Sequence, residues 1–434
     1  MNAKTKKILI IIGFIILVLI LAFLLYLVFF KKPTTVLLVE PSKKISTEIL
    51  PRLPVDREEW EKMTVSERVQ QDLPPDEWPE VEQLSSDEML SSHAKMIVAQ
   101  IDEIANGKET WVSPVVMDSV MGATLSSSGD ASIYYNPETG YFYEVDHWGN
   151  KTLMSDQVFY DVKNISWAPS KDRAVIEYPD GFKVIYNFDK KKQYIIPNNW
   201  EDFYWSPVSD RIAFKATSKY PENNWLAIAS ADGSQAKPIE HMGDNADKVT
   251  MSWSPHNQII AFSATGDPRN VWEQELILIG QNGENFSSLV VDGRDFQPKW
   301  SPYGDKIAYS IYAAEFDYQP RLYIVDGEIG RVGTNKKILN LATWADKCAF
   351  NNDGSFLYCA VPKELPEGAG LVRELAEDAR DDFYKINTDT GRISFLAEPA
   401  MGGYNVEYIY ISEKEDYLYF TDADSHHLRC LQLK

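Results

Sequence analysis

A ten-residue motif recurs along the chain from residue 125 onward. Four copies begin with tryptophan, a small residue and proline: WAPSKDRAVI at Trp167, WSPVSDRIAF at Trp205, WSPHNQIIAF at Trp253 and WSPYGDKIAY at Trp300. Three further copies keep the frame with other lead residues, which are Leu125, Phe350 and Ile411. The leads are 38 to 61 residues apart. This period predicts a repeat architecture, and four short strands per unit are typical of a β-propeller blade.

The motif has a simple physical interpretation. The bulky lead residue ends one strand and packs between neighbouring blades, and the Ser, Pro, Asp and Gly positions after it form a tight turn. An apolar strand follows, because blades stack on both of its faces. An acid recurs five residues after five of the leads, at Asp130, Asp172, Asp210, Asp305 and Asp416. These acids suit turn chemistry, and a ring of cation ligands is the alternative.

The repeat predicts an all-β propeller of seven four-stranded blades over residues 108–434, or six if one degenerate copy is not a blade. The last unit ends with HHLRCLQLK as its third strand, and no fourth strand follows. TWVSPVVM at 110–117 could supply the missing strand. Such pairing would close the ring and remove two exposed sheet edges.

The WSPDG-x-x-IAF-like core resembles the WD40-like β-propeller repeat of the TolB type, which also occurs in propellers of prolyl-oligopeptidase and dipeptidyl-peptidase relatives. The resemblance covers roughly residues 110–434. It implies the propeller fold and little about function, since the repeated residues are architectural. TolB is a soluble periplasmic protein with another N-terminal domain, and the peptidase relatives carry a hydrolase domain after the propeller. We expect neither of those domains here.

The N-terminus predicts a membrane anchor. Residues 1–7 carry three lysines, residues 8–30 form an uncharged apolar run, and Lys31 and Lys32 follow. A run of this length can cross a bilayer as a helix, and its bulky end is unlike a signal-peptide cleavage site. The lysines favour a cytoplasmic tail of residues 1–7. The remainder would then be periplasmic or extracellular, at the cell envelope.

Two segments join this predicted anchor to the propeller. Residues 31–84 are rich in Pro, Glu and Asp, which indicates a stalk. Residues 85–107 carry Leu90, Ala94, Ile97, Ile101 and Ile104 at helical spacing, with Asn106-Gly107 as a C-cap. They predict an amphipathic helix that packs on the propeller, and a partner-binding helix is the alternative.

The formal net charge is −21, which argues against nucleic acid as a partner and could suit cations or basic partners. The chain has three cysteines, an odd number that excludes a full disulfide framework. Cys348 and Cys359 flank an Asp353-Gly354 turn and would face each other across a hairpin. A disulfide between them and two small buried residues are both consistent with this placement.

No motif in the chain indicates catalysis. The sequence contains no G-x-S-x-G elbow, no HExxH, no pair of CxxC motifs and no phosphate-binding loop. The candidate metal ligands are Asp422, Asp424, His426 and His427 in the DADSHH segment, which a solvated loop explains equally well. The sequence predicts no cofactor and assigns no catalytic residue.

The most direct interpretation is a single-pass membrane protein with a non-catalytic propeller that binds a protein, a peptide or an envelope polymer. The alternative is a cell-envelope hydrolase or lyase with its site in the central channel. Convergent polar residues at the channel mouth would discriminate between the two, and they would lie in the unrepeated loops.

Overall fold

The computed structural model describes residues 101–267, 270–284 and 286–434, which fold into seven sheets arranged as a β-propeller. The prediction of seven blades is confirmed, and the six-blade alternative is wrong. The described chain enters through two short strands, β1 (Lys108–Thr110) and β2 (Val112–Val116). The blades then follow in sequence order.

Blades 1 to 3 are antiparallel four-stranded sheets whose strands pair in the order of the sequence. Blade 1 contains β3 (Met121–Leu125), β4 (Ala131–Asn136), β5 (Tyr141–Asp146) and β6 (Lys151–Leu153). Blade 2 contains β7 (Asn164–Trp167), β8 (Arg173–Glu177), β9 (Lys183–Asn187) and β10 (Lys192–Ile196). Blade 3 contains β11 (Trp200–Trp205), β12 (Arg211–Ala216), β13 (Trp225–Ser230) and β14 (Lys237–His241).

Blades 4 to 7 repeat this plan. Blade 4 contains β15 (Val249–Met251), β16 (Ile259–Ser263), β17 (Gln274–Gly280) and β18 (Leu289–Val291). Blade 5 contains β19 (Arg294–Trp300), β20 (Lys306–Tyr312), β21 (Pro320–Asp326) and β22 (Lys337–Ile338). Blade 6 contains β23 (Cys348–Phe350), β24 (Phe356–Pro362), β25 (Asp381–Asn387) and β26 (Ile393–Pro399). Blade 7 contains β27 (Val406–Ile411), β28 (Tyr417–Asp422) and β29 (Leu428–Gln432).

The N-terminal strands complete the last two blades. β2 pairs antiparallel with β29 and supplies the fourth strand of blade 7, as the sequence predicts. β1 pairs parallel with β26 and adds a fifth strand to blade 6, which the sequence did not indicate. β27 of blade 7 contacts β3 of blade 1, so the ring is closed.

Helical structure is sparse in the described ranges. Five short 3₁₀ helices occur there: η1 (Pro221–Asn223), η2 (Gly243–Lys248), η3 (Ala314–Phe316), η4 (Ala345–Lys347) and η5 (Arg373–Ala376). None of the helices in this part of the chain is long and apolar enough to cross a membrane. The predicted spanning segment 8–30, the tail 1–7 and the stalk 31–84 lie outside the described residues.

The predicted helix over 85–107 differs from the structure where the two overlap. Residues 85–100 lie outside the described residues, and residues 101–107 form isolated bridges instead of a helix. Asp102 bridges to Thr110, and Ile104 bridges to Gln432. Pairing with the outer edges of blades 6 and 7 therefore replaces helical hydrogen bonds. Ile101 is nevertheless buried against Trp111 and Ala400, as its place in the apolar stripe predicts.

The motif leads occupy the predicted packing positions. Six of them are the last residue of the first strand in their blade, and Trp253 lies two residues after the end of β15. The Trp205 indole donates to the Ser166 carbonyl of blade 2 at 3.0 Å, and the Trp167 indole donates to the Gly122 carbonyl of blade 1 at 2.8 Å. Each of these tryptophans therefore fixes its blade to the preceding one.

The turn after each lead has one backbone conformation. The fourth residue after the lead has a positive φ in all seven copies: Gly129, Lys171, Ser209, Asn257, Gly304, Gly354 and Glu415. The recurring acids serve these turns. Asp210 accepts a hydrogen bond from the Ser206 hydroxyl at 2.7 Å, and Asp305 accepts one from Ser301 at 2.6 Å. Turn chemistry therefore accounts for Asp210 and Asp305, whereas Asp130 pairs with Lys414 of blade 7 at 3.0 Å.

Candidate functional site

The alternating strand directions give the disc two different faces. Connections between blades, and those between the second and third strands of a blade, emerge on one face, which we call the loop face. The tight motif turns emerge on the other, which we call the turn face. The first strands of the blades surround a central channel between the faces.

Two adjoining cavities open at the channel mouth on the loop face. One, of about 520 Å³, lies between blades 7, 1 and 2, and the other, of about 280 Å³, lies between blades 6 and 7. Glu407 and Tyr408, near the start of β27, line both cavities. The larger cavity, which we call the Glu407 cavity, is also lined by Lys163, Asn164, Trp167, Thr421 and His426.

An insertion between β24 and β25 brings an arginine to the smaller cavity. Arg373 binds Asp346 through both terminal nitrogens, at 2.6 and 3.2 Å. Its guanidinium also lies over the Trp344 ring, 4.7 Å from the centroid. The bidentate pair and the cation–π contact together fix the orientation of Arg373.

The insertion is itself fastened to blade 5. Gly368 and Gly370 donate their amides to the carbonyls of Asp317 and Tyr318, at 2.9 and 2.8 Å. A Cβ at Gly370 would lie 2.6 Å from the Cβ of Tyr312, so only glycine fits this close approach. The Arg373 side of the mouth is therefore held by two blades.

A buried ion pair holds the start of β27. Lys347 Nζ lies 2.7 and 2.9 Å from the two carboxylate oxygens of Asp381, and both side chains are almost inaccessible to solvent. Asp381 also accepts the Val406 amide at 2.7 Å. Since Val406 precedes Glu407, this pair positions the residue that both cavities share.

The Glu407 carboxylate has no hydrogen bond or ion pair in the described ranges. Burial raises the pKa of its carboxyl above the usual range, while His426 and Arg373 nearby oppose that effect and Asp346 adds to it. Of these two, Arg373 is paired with Asp346 at 2.6 Å, and His426 lines the same cavity as Glu407. Glu407 is thus a partly desolvated carboxyl group that faces two cavities.

The four candidate metal ligands do not converge. Asp422 accepts the Ser425 hydroxyl, Asp424 pairs with Arg380, and His426 lines the Glu407 cavity. His427 joins the same turn through its backbone, since its amide donates to the Ser425 hydroxyl at 3.4 Å and its carbonyl accepts the Asp422 amide at 3.1 Å. Across 101–267, 270–284 and 286–434, no three His, Cys, Asp or Glu side chains are grouped to hold a metal ion.

The two hairpin cysteines of blade 6 do come together. Cys348 lies directly opposite Cys359 in the register of β23 and β24, and the structure joins them in a disulfide. Cys430 is free and buried. The bridge ties the channel-lining strand of blade 6 to its neighbour, next to η4 and Asp346.

Sequence reasoning missed the residues that meet at the mouth. Glu407 and Tyr408 precede the lead Ile411 in an unrepeated stretch, and Asp346 lies in a connection between blades. The insertion around Arg373 was visible in the sequence as an interruption of the repeat. Nothing in the sequence indicated that Arg373 pairs with Asp346. A third cavity, of about 310 Å³, lies between blades 3 and 4, away from these residues.

Comparison with models of protein families finds no match, and comparison with curated proteins finds none either. The fold is similar to solved structures. One is an oligogalacturonate lyase in complex with manganese, with 12% identity and a TM-score of 0.53 over 74% of this chain and 93% of that chain. Another is the β-propeller domain of Cps50 (Swd1) from Myceliophteria thermophila, with 9% identity and a TM-score of 0.51 over 74% of this chain and 100% of that chain. At such identities the similarity shows the propeller fold alone.

Proposed function

We propose that this protein is a membrane-anchored, extracytoplasmic β-propeller that binds a protein, peptide or envelope polymer at the channel mouth without transforming it. The observation that carries the proposal is the pair of adjoining cavities whose common wall is Glu407 and Tyr408. Tyr408 is 49% exposed there, although it belongs to a first strand of the ring. An exposed aromatic beside an unpaired carboxylate is suited to recognition.

The rigidity of the mouth supports binding. Arg373 is held by Asp346 and Trp344, and β27 is held by the Lys347–Asp381 pair. Groups that are already positioned lose little conformational entropy when a ligand arrives. The membrane part of the proposal rests on the apolar run at 8–30 and its flanking lysines.

One observation favours a second function, an envelope hydrolase or lyase that acts in the channel. Burial raises the pKa of Glu407, and such a carboxyl can serve as a general acid or base when it faces a cavity. One of the propellers of similar fold is a lyase. This function would need substrate to reach Glu407 through one of the two cavities.

A membrane pulldown with the tagged full-length chain separates the two functions. Binding predicts one stoichiometric partner that is lost in Tyr408→Ala and kept in Tyr303→Ala, a matched exposed tyrosine on the turn face. Catalysis instead predicts turnover of a glycan or peptide library by the purified chain, with loss of turnover in Glu407→Gln. Turnover without a partner would overturn the scaffold proposal.

A further inference from the structure

Glu407 has the surroundings of a carboxylate that awaits a counter-ion. Taking a carboxylate out of water is costly unless a cation or several donors compensate for the lost hydration. The Glu407 carboxylate has no hydrogen bond or ion pair in the described residues, although His426 and Arg373 are near enough to lower its pKa. Other cations around the mouth already have acidic partners. Arg373 pairs with Asp346, Arg380 with Asp424 and Lys347 with Asp381.

A second group in the Glu407 cavity also lacks a partner. Thr421 lies opposite Tyr408 in the register of β27 and β28, and its side chain lines the cavity. It is only 2% exposed, and its hydroxyl oxygen has no hydrogen bond in the part of the chain that the structure describes. Buried hydroxyls usually have partners, so Thr421 is a second polar group at the cavity wall whose hydrogen-bonding capacity is unused.

The remaining lining of the cavity suits a long side chain with a charged tip. Trp167, Ile165 and Met121 give apolar surface, and Tyr408 gives an exposed ring. Methylene groups of a lysine or arginine can pack on such surface while the charged end meets a carboxylate. Lys163 also lines the cavity, and its side chain is exposed to solvent.

We infer that the Glu407 cavity binds the ammonium or guanidinium group of a basic side chain presented by a partner protein. This inference rests on the proposed binding function and names the chemistry of the ligand. The cationic nitrogen would pair with the Glu407 carboxylate and donate to the Thr421 hydroxyl, with its stem against Trp167 and Tyr408. The formal net charge of −21 would steer a basic partner toward the protein.

Peptide binding to the full-length chain in detergent micelles tests the inference. The probes are the acetylated and amidated pentapeptide Gly-Gly-Lys-Gly-Gly, its norleucine analogue, and n-butylammonium as a free amine. We expect saturable binding of the lysine peptide and a loss of about tenfold or more on changing lysine to norleucine, because a charge-assisted contact is removed. Equal affinity for the two peptides, or no saturable binding of the lysine peptide, would overturn the inference.

Variants separate this inference from the proposed function. Glu407→Gln should weaken the lysine peptide about tenfold, whereas Glu240→Gln, an exposed carboxylate on β14, should leave it unchanged. Butylammonium that competes with the peptide supports the same chemistry, and tighter binding of the amine than of the peptide would point to a free amine as the ligand. If a partner is still captured through Tyr408 but ignores Glu407→Gln, the inference fails and the proposed function stands.

Discussion

At the scale of single residues, the channel mouth contains polar groups that have no partner in the described part of the fold. Elsewhere the recurring acids, such as Asp210 and Asp305, bond within their own turns. At the channel mouth, by contrast, Glu407 and Thr421 lack partners in the described ranges. Polar groups left unpaired in this way cost stability, and a bound ligand can compensate them.

Replacement of Glu407 tests that cost. Since burial raises the pKa of Glu407 in the folded state, its ionisation opposes folding, and this loss of stability grows as pH rises through the unfolded-state pKa. We expect Glu407→Gln to unfold at a higher urea concentration than the wild type at pH 7. The difference should vanish below about pH 4, where the carboxyl group is protonated in both states. The charged and titratable groups around position 407 are the same in the wild type and in Glu407→Gln. They are Tyr408, His426, Arg373 and Asp346.

Urea titrations at the two pH values measure this effect. Glu240→Gln, whose carboxylate is exposed, should give no such difference. A Glu407→Gln protein that is less stable than the wild type at pH 7 would show that Glu407 makes a favourable interaction in the fold.

The Lys347–Asp381 pair should be far more important for stability than the exposed pairs. Asp381→Ala leaves a buried ammonium group without a counter-ion and frees the Val406 amide, so we expect a loss of about 3–5 kcal/mol in the free energy of unfolding. Asp424→Ala breaks the exposed pair with Arg380 and should cost about 0–1 kcal/mol. Denaturant titrations of both variants measure the difference, and equal losses would contradict this role of the pair.

At the scale of strands and turns, the sequence predicts the features that recur in every blade. It does not predict the features in which the blades differ. The lead residue, the turn and the apolar strand recur, so their places could be read from residues such as Trp205 and Trp300. The left-handed position was visible only where it is glycine. Where it is Lys171, Ser209 or Asn257, the side chain makes a hydrogen bond. For example, the Asn257 side-chain oxygen accepts a hydrogen bond from the Trp253 indole at 2.9 Å.

Trp205 gives a direct test of the lead position. It is 4% exposed and bonds to Ser166 of the preceding blade. We expect Trp205→Ala to lower the free energy of unfolding by about 3–5 kcal/mol through the cavity it leaves. Trp205→Phe should cost about 1–2 kcal/mol, since it leaves the Ser166 carbonyl unpaired. Trp225→Phe, at an exposed tryptophan on β13, should change stability by less than about 0.5 kcal/mol. Denaturation curves for the three variants check this order.

The oxidation state of the Cys348–Cys359 pair in blade 6 tests the proposed extracytoplasmic location of the propeller. Disulfides persist in oxidising compartments and are rare in the cytosol. We therefore expect that, in cells making the full chain, denaturation without reductant exposes only Cys430 to a maleimide reagent, and reduction exposes all three cysteines. The double change Cys348→Ser and Cys359→Ser should cost about 2–4 kcal/mol. Three modified cysteines without reductant would contradict an extracytoplasmic propeller.

At the scale of the whole molecule, ring closure was predictable and the mouth was not. The repeat predicted only three strands for blade 7, which leaves one sheet edge unpaired. TWVSPVVM was a β-like segment outside the other blades, so it could be assigned to that edge. Nothing in the sequence predicted the pairing of β1 or the bridges of residues 101–107. These segments pair with β26 of blade 6, with β1 itself and with the end of β29 in blade 7. The mouth brings together Glu407 from strand β27, Asp346 from a connection between blades and Arg373 from the insertion, and no spacing in the sequence relates the three.

The loop face, and not the turn face, is expected to meet a ligand at the membrane. Tyr160 lies on the loop face, in the connection between blades 1 and 2, and is 70% exposed, while Tyr303 in a motif turn of the other face is 67% exposed. The decisive measurement is photo-crosslinking in intact cells with a benzophenone amino acid at each position in the full-length chain. We predict a discrete crosslinked partner from position 160 and none from position 303. Crosslinks from position 303 alone, or from neither position, would contradict the claim.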